Sequence, residues 1–172
     1  MQLRDLFDDF PLDDADVVQF SLQQILRQPL DIFVDPRRTE QLLLQARDLL
    51  PERLEVRVAL YKWYAYSNRF DESLALINDV LARAAQAGGF ASDWRSLTPQ
   101  SARWQPAIGT LRLYLYSLKA TGFVCLRKGD LATACAVLEK LQQLDPQDQV
   151  GGSVVAGMAQ RLVEQALEDE QA

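Results

Sequence analysis

Histidine is missing from the 172-residue sequence, and its absence excludes several kinds of catalytic site. A serine or cysteine nucleophile activated by histidine, a zinc site with histidine ligands and histidine acid–base catalysis all need an imidazole. Carboxylate or lysine chemistry remains open in principle, but it would need a cleft that the sequence does not reveal. We therefore expect a protein that is not an enzyme and that carries no metal and no cofactor.

Long apolar runs and cysteines are also scarce. No uninterrupted apolar stretch approaches the ~18 residues that mark a membrane-spanning helix, and the acidic stretch that follows Met1 is unlike a signal peptide. The two cysteines, Cys125 and Cys135, form no CxxC pattern. We expect them to be small buried side chains, with a disulfide or a redox switch as the alternative. These features predict a cytoplasmic protein without membrane contact.

The net charge of −6 is concentrated at one end of the chain. Residues 1–35 contain eight aspartates and two arginines, whereas the rest of the chain has 16 acidic and 16 basic side chains. An acidic protein repels phosphate backbones, so nucleic acid is not an expected partner. Residues 1–35 are predicted to form an acidic N-terminal cap, either solvated or bound in cis to a basic groove of the same chain until a partner displaces it.

Glycine and proline occur only 8 and 7 times, and they separate long runs of helix-favouring residues. Apolar residues recur in these runs at three- and four-residue intervals, which predicts an all-α protein of one domain. Asp14 and Asp35-Pro36 are predicted to begin two helices, because aspartate caps a helix and proline suits its first position. After the cap, the predicted segments are 36–87, an irregular insertion at 88–105, then 106–146, and a closing helix with its tail at 147–172.

Residues 118–146 contain a spaced series of large and small side chains: Leu118, Thr121-Gly122, Cys125, Ala134, Leu138 and Pro146. Gly122 and Ala134 are small, as expected where two helices cross closely, and Gly129 suits the turn between the helices. The series resembles one tetratricopeptide repeat. That resemblance implies a superhelix of antiparallel helix hairpins, a fold that binds other proteins.

Residues 54–87 fit the same repeat less closely. Tyr61 occupies the position of the small residue, and Ala85 replaces the terminal proline. The resemblance extends over roughly residues 36–168. It implies one degenerate repeat, the irregular insertion, one well-formed repeat and a closing helix.

Tetratricopeptide proteins bind partners on the concave face, which the first helix of each repeat forms. The resemblance puts basic and aromatic residues on that face: Lys62, Tyr66, Tyr116, Lys119, Phe123, Arg127 and Arg161. Such a groove would favour an acidic peptide. The alternatives are that the aromatic side chains fill the core and that the basic side chains only solvate their helices.

The insertion contributes two further candidates for partner binding, Trp94 and Trp104. Tryptophan and arginine often dominate the binding energy of an interface, and long loops often carry function. The alternative is that the insertion folds back and that its tryptophans cover the core.

The sequence therefore predicts a non-catalytic protein–protein interaction module, such as an adaptor, a scaffold or a chaperone-like protein. Its expected partner is another protein or a peptide. A second hypothesis is a self-associating structural subunit, in which Phe7 and Phe10 would mediate a homodimer. A small-molecule-binding sensor is the third hypothesis. Resemblance at the level of the fold does not identify the partner.

Overall fold

The computed structural model describes residues 1–13 and 20–172, and these residues are mainly helical. No β-strand occurs within the described ranges, and Gln2 and Asp31 form a single isolated bridge. The all-α prediction is confirmed. The α-helices are α1 (Phe20–Arg27), α2 (Pro36–Leu49), α3 (Leu54–Tyr66), α4 (Phe70–Gly88), α5 (Gly109–Lys128), α6 (Leu131–Leu144) and α7 (Gly152–Gln171).

The chain divides into two compact units, residues 1–76 and residues 77–172. The division falls within α4. Among the residues described, no helix is both long enough and apolar enough to cross a membrane.

The first unit has its core around α3. The 3₁₀ turn Leu3–Phe7 and α2 pack against α3, and α1 packs against α2. The start of α2 follows the prediction, because the Asp35 carboxylate accepts a hydrogen bond from the Arg38 N–H at 3.0 Å. The predicted helix start at Asp14 lies outside the described residues. The core side chains are Leu3, Leu6, Phe7, Leu22, Ile25, Ile32, Leu42, Leu43, Ala46, Leu50, Val56, Ala59, Leu60, Trp63 and Tyr64.

The second unit contains a helical hairpin of α5 and α6, and α7 packs against both helices. Gly129 ends α5 with a φ of 90°, and the Asp130 N–H donates to the Cys125 carbonyl at 2.9 Å. The Asp130 carboxylate then begins α6 by accepting the Thr133 N–H at 3.1 Å. Two residues thus end one helix, reverse the chain and begin the next helix.

Gly122 lies where α5 and α6 approach most tightly. A Cβ atom at this position would lie 2.7 Å from both Cγ and Cδ2 of Leu138. Ala134, across the hairpin, is fully buried. The expectation that Gly122 is small because the helices cross closely is confirmed.

The turn between α3 and α4 has the same geometry as the turn between α5 and α6. Asn68 has a φ of 59°, and the Arg69 N–H donates to the Tyr64 carbonyl at 2.9 Å. The pairs Asn68 and Gly129, Tyr64 and Cys125, and Ser73 and Ala134 have one common separation in the sequence. Ser73 is fully buried like its counterpart, and its hydroxyl donates to the Tyr61 carbonyl at 3.0 Å.

The predicted insertion is irregular, and it contains the short 3₁₀ turn Trp94–Ser96. The next helix begins at Gly109, three residues later than the sequence predicts. The residues before it are held from the side of α7: the Ala107 N–H donates to Gln149 Oε1 at 2.7 Å, and Gln149 Nε2 donates to the Trp104 carbonyl at 2.9 Å. These contacts keep residues 104–107 in a non-helical path.

Candidate functional site

Four of the predicted groove residues follow one face of α5 at three- and four-residue spacing: Tyr116, Lys119, Phe123 and Arg127. We call this set the α5 face. Its first three side chains are half-buried, and Arg127 is exposed. Side chains at this spacing are neighbours on a helix surface, so they form one continuous strip.

Each basic residue of the α5 face lies over an aromatic ring of the same face. Lys119 Nζ is 4.3 Å from the centre of the Tyr116 ring, and the Arg127 guanidinium carbon is 5.9 Å from the centre of the Phe123 ring. Attraction between a cation and the face of a ring contributes ~0.5–1 kcal/mol at exposed positions. The strip therefore combines apolar area with positive charge held in defined positions.

Lys119 also has a structural role. Its ammonium group donates to the Val150 carbonyl at 2.7 Å, and Arg112 donates to the Gln149 carbonyl at 3.0 Å. These bonds fix the chain just before α7 beside the middle of α5. They also set how far α7 extends along the hairpin.

Arg161, the last predicted groove residue, is exposed on α7. Gly157 precedes it by one turn, and a Cβ atom there would meet only the Arg161 guanidinium, at 3.8 Å. The surface of α7 is therefore open between these two positions. Arg161 is the second exposed arginine among the predicted groove residues, after Arg127.

Lys62 differs from the prediction, because it is almost completely buried in the first unit. Its side chain is 9% exposed, and its ammonium group donates to Asp9 at 2.6 Å and to the Leu6 carbonyl at 3.2 Å. The expectation of an open basic groove at Lys62 is therefore wrong. The acidic N-terminal residues occupy this position in cis, which is one of the two alternatives raised for the cap.

Residues 9–13 run antiparallel to α3. Asp9 pairs with Lys62, and Asp13 pairs with Arg53 at 3.4 Å. The four residue steps from Asp9 to Asp13 cover ~13 Å in an extended chain. This equals the helical rise over the nine steps from Arg53 to Lys62. The lengths match, so an extended acidic segment can bridge both basic groups.

The N-terminal segment is part of the fold rather than a displaceable cover. Leu3 and Leu6 are at most 1% exposed, and Phe7 is 7% exposed. Burial of such a side chain stabilises by ~1.5–3 kcal/mol, so the three together approach the ~5–15 kcal/mol that holds an ordinary protein folded. Release of this segment would therefore unfold the first unit. For the same reason, the hypothesis that Phe7 mediates pairing is wrong.

Tyr66 is the predicted groove residue of the first unit that does reach the surface, with 40% of its area exposed. Near it the structure reveals an ion network that the sequence analysis missed. Arg69 donates to Glu40 at 2.8 and 3.0 Å and to Glu72 at 2.7 Å, and it lies 4.6 Å from the centre of the Tyr64 ring. No local sequence signal joins Glu40 to Arg69, since they lie on separate helices.

The network changes the acidity of its members. Hydrogen bonds from Arg69 lower the pKa of Glu40. Burial and the nearby Glu40 carboxylate raise the pKa of Tyr64 to about 12, and the Tyr64 hydroxyl donates to Glu40 at 3.1 Å. All charges in the network are paired, so its role is to fasten α2 to the turn before α4.

The two tryptophans of the insertion have different environments. Trp104 is only 4% exposed, packs edge-on against Phe90 at 5.1 Å and donates through its indole N–H to the Thr98 carbonyl at 3.1 Å. The hypothesis that Trp104 is an exposed anchor is therefore wrong, because it fills the core of the second unit. Trp94 is half-buried beneath the Arg95 guanidinium, which is 4.2 Å from the ring centre.

Both cysteines are free thiols, and burial raises the pKa of Cys125, which disfavours the reactive thiolate. Cys135 is half-buried. Within residues 1–13 and 20–172, no cluster of three or more carboxylates or thiols could hold a metal ion.

The chain is 30% identical over 118 residues to a protein of Azotobacter chroococcum mcd 1 described as an uncharacterized 19.8 kDa protein in the nifW 5′ region. The match spans 67% of this chain and 66% of that protein, just under two thirds of its length. No family model and no solved structure matches the chain. The tetratricopeptide resemblance therefore stays a prediction.

Proposed function

We propose that this chain is a non-catalytic protein-interaction module of tetratricopeptide type that binds an acidic partner segment on the α5 face. The observation that carries the proposal is the strip itself, with Lys119 over Tyr116 and Arg127 over Phe123 on a helix whose opposite side is packed. Arginine and aromatic side chains contribute most to binding energy at interfaces, and basic groups select acidic partners.

Two features of the fold support the tetratricopeptide assignment. Gly122 makes the close approach that the resemblance requires, and Gly129 takes the left-handed conformation at the turn. The equivalent turn at Asn68 repeats the same hydrogen bond at the same sequence separation. A repeat of one supersecondary unit is the basis of this fold.

The proposed binding surface contains fewer residues than the sequence alone predicts. Lys62 is paired with Asp9 and belongs to the core of the first unit, so it is not part of the proposed surface. The surface consists of the α5 face, extended by Arg161.

The proposal is tested by cross-linking at Phe123, a half-buried position of the α5 face. A photoreactive phenylalanine replaces Phe123 in the full chain, and adducts formed in cells of the native source are identified by mass spectrometry. The name of the Azotobacter relative places it in the nifW 5′ region. The nifW product is therefore the first defined protein to test for cross-linking to the purified chain. We expect a discrete adduct.

A pair of charge-matched variants provides the control. Arg127→Glu/Arg161→Glu reverses two exposed charges of the proposed surface, whereas Arg37→Glu/Arg103→Glu reverses two exposed charges elsewhere. We expect the first variant to lose at least ~90% of the adduct and the second to keep it, because a reversed charge repels an acidic partner. Equal adduct yield in both variants would contradict the proposal.

A further inference from the structure

The C-terminal part of α7 extends beyond the hairpin on which the helix packs. α7 has 20 residues and α6 has 14, which correspond to ~30 and ~21 Å. The buried residues of α7 are Gly152, Val155 and Ala159. All residues from 164 to 172 are exposed. We call residues 162–171 the α7 overhang.

The contacts of α5 independently indicate that α7 extends beyond the hairpin. Lys119 bonds to Val150 just before α7 begins, and α5 ends at Lys128. Only the last nine residues of α5, ~14 Å of helix, therefore lie alongside α7. Since α7 is a continuous helix, its last turns project past the hairpin and do not reach the α5 face of their own chain.

The overhang is both apolar and strongly acidic. Leu162 and Leu167 are 43% and 52% exposed. Between residues 162 and 172 there are four carboxylates and no basic side chain: Glu164, Glu168, Asp169 and Glu170. Such a surface fits a face that offers apolar contact together with positive charge.

The overhang is also electrostatically unfavourable as an isolated helix end. The last turn of α7 contains no basic residue, and its carboxylates lie at the negative end of the helix dipole. Each such carboxylate costs ~0.3–1 kcal/mol at low ionic strength. Contact with a positively charged face would relieve this repulsion.

We infer that the α7 overhang of one copy docks on the α5 face of a second copy, and that two copies do so reciprocally. The inference rests on the α5 face proposed above as the binding surface. The strip from Tyr116 to Arg127 is ~17 Å long, which accommodates the ~14 Å of the overhang. Leu167 lies on the same side of α7 as Glu164 and Glu168. Leu167 contacts the aromatic rings of the face, and these two carboxylates pair with Arg127 and Arg161. Reciprocal contact closes a two-fold dimer and leaves no open end for a fibre.

The experiment measures the mass of the full chain by sedimentation equilibrium over about 5–500 µM. Three proteins are compared: the wild type, a tail variant (Glu164→Lys/Glu168→Lys) and a face variant (Arg127→Glu/Arg161→Glu). All four substituted residues are exposed, so the substitutions leave the core intact. The lysines of the tail variant also favour the helix end, so loss of the dimer in this variant would not come from fraying.

We expect the wild type to form a reversible dimer and each variant alone to remain monomeric, because like charges then meet at both contacts. An equimolar mixture of the two variants should dimerise again, since each lysine tail meets a glutamate face and each acidic tail meets a basic face. A monomeric wild type, a variant that still dimerises alone or a mixture that stays monomeric would overturn the inference.

The outcome is separable from the test of the proposed function. The tail variant keeps the α5 face, so cross-linking of a partner at position 123 should persist in it. A monomeric wild type that still cross-links a partner would remove the self-association and leave the proposed function in place. A wild type that dimerises but cross-links no partner would remove the proposed function and leave the self-association in place.

Discussion

At the scale of single residues, Gly122 and Gly157 show how one residue type serves two purposes. Both lie inside helices, where alanine normally stabilises by ~1 kcal/mol relative to glycine. At Gly122 a methyl group would lie 2.7 Å from two carbons of the buried Leu138, whereas at Gly157 it would meet only the end of Arg161 at 3.8 Å.

We therefore expect opposite signs for the same substitution. Gly122→Ala should lower the free energy of unfolding by ~1–3 kcal/mol, the usual cost of overpacking. Gly157→Ala should raise it by ~0.5–1 kcal/mol. Urea unfolding followed by circular dichroism measures both changes. An increase in stability for Gly122→Ala would mean that α5 and α6 are farther apart than described.

The paired carboxylate of Glu40 makes stability depend on pH. Arg69 lowers the pKa of Glu40 in the folded state. The stabilisation is therefore complete above the ordinary value of 4.5 and is lost as the pH falls through the lower folded value. We expect the urea midpoint of the wild type to exceed that of Glu40→Gln by a constant amount from about pH 6 to 8. The difference should shrink below about pH 4.5, and an unchanged difference at about pH 3 would contradict this account.

At the scale of elements, the N-terminal segment is joined to α3 by one ion pair whose lysine is buried and by one exposed ion pair. Lys62 is 9% exposed and Asp9 is 47% exposed, whereas Arg53 and Asp13 are 39% and 70% exposed. Removal of one partner from a buried pair leaves an uncompensated charge, but an exposed pair contributes little.

We expect Asp9→Asn to destabilise the protein by ~1–3 kcal/mol and Asp13→Asn by less than ~0.5 kcal/mol. The two changes are chemically identical, and they lie on the same segment. Thermal unfolding compares them directly. Equal effects would show that the burial of Lys62 does not matter for the attachment of the segment.

At the scale of the whole molecule, the net charge of −6 opposes association of two copies. Two such charges ~40 Å apart repel by about 4 kcal/mol in pure water, and a Debye length of ~10 Å at 0.1 M salt removes nearly all of it. The short contacts between overhang and face are screened only at higher salt.

The dimer should therefore be most stable at intermediate ionic strength. We expect its Kd to fall as NaCl rises from about 10 to about 100 mM, and to rise again toward about 1 M. Sedimentation equilibrium at several salt concentrations measures this. A Kd that falls steadily up to about 1 M would indicate an interface held by apolar contact alone.

The sequence predicts those features that depend on neighbours along the chain. The left-handed turn at Gly129, the cap at Asp35 and the close crossing at Gly122 each have a local cause, and each is present in the structure. The residues of the α5 strip are expected from the tetratricopeptide resemblance, and their three- and four-residue spacing makes the strip continuous on a helix. By contrast, Lys62 is covered by the distant N-terminal segment, and Trp104 packs against Phe90 and Tyr114 on either side of the insertion. No local pattern predicts these contacts.

Lys62, Lys119 and Lys140 each donate to a backbone carbonyl outside the α-helices. Lys62 donates to the Leu6 carbonyl, Lys119 to that of Val150 and Lys140 to that of Leu97. The fourth, Lys128, is exposed at the end of α5. Because Lys128 is exposed, amine-reactive dyes should label it well before the other lysines. Conversely, acylation of the three tied lysines would detach the N-terminal segment, the α7 entry and the insertion from the helices that hold them.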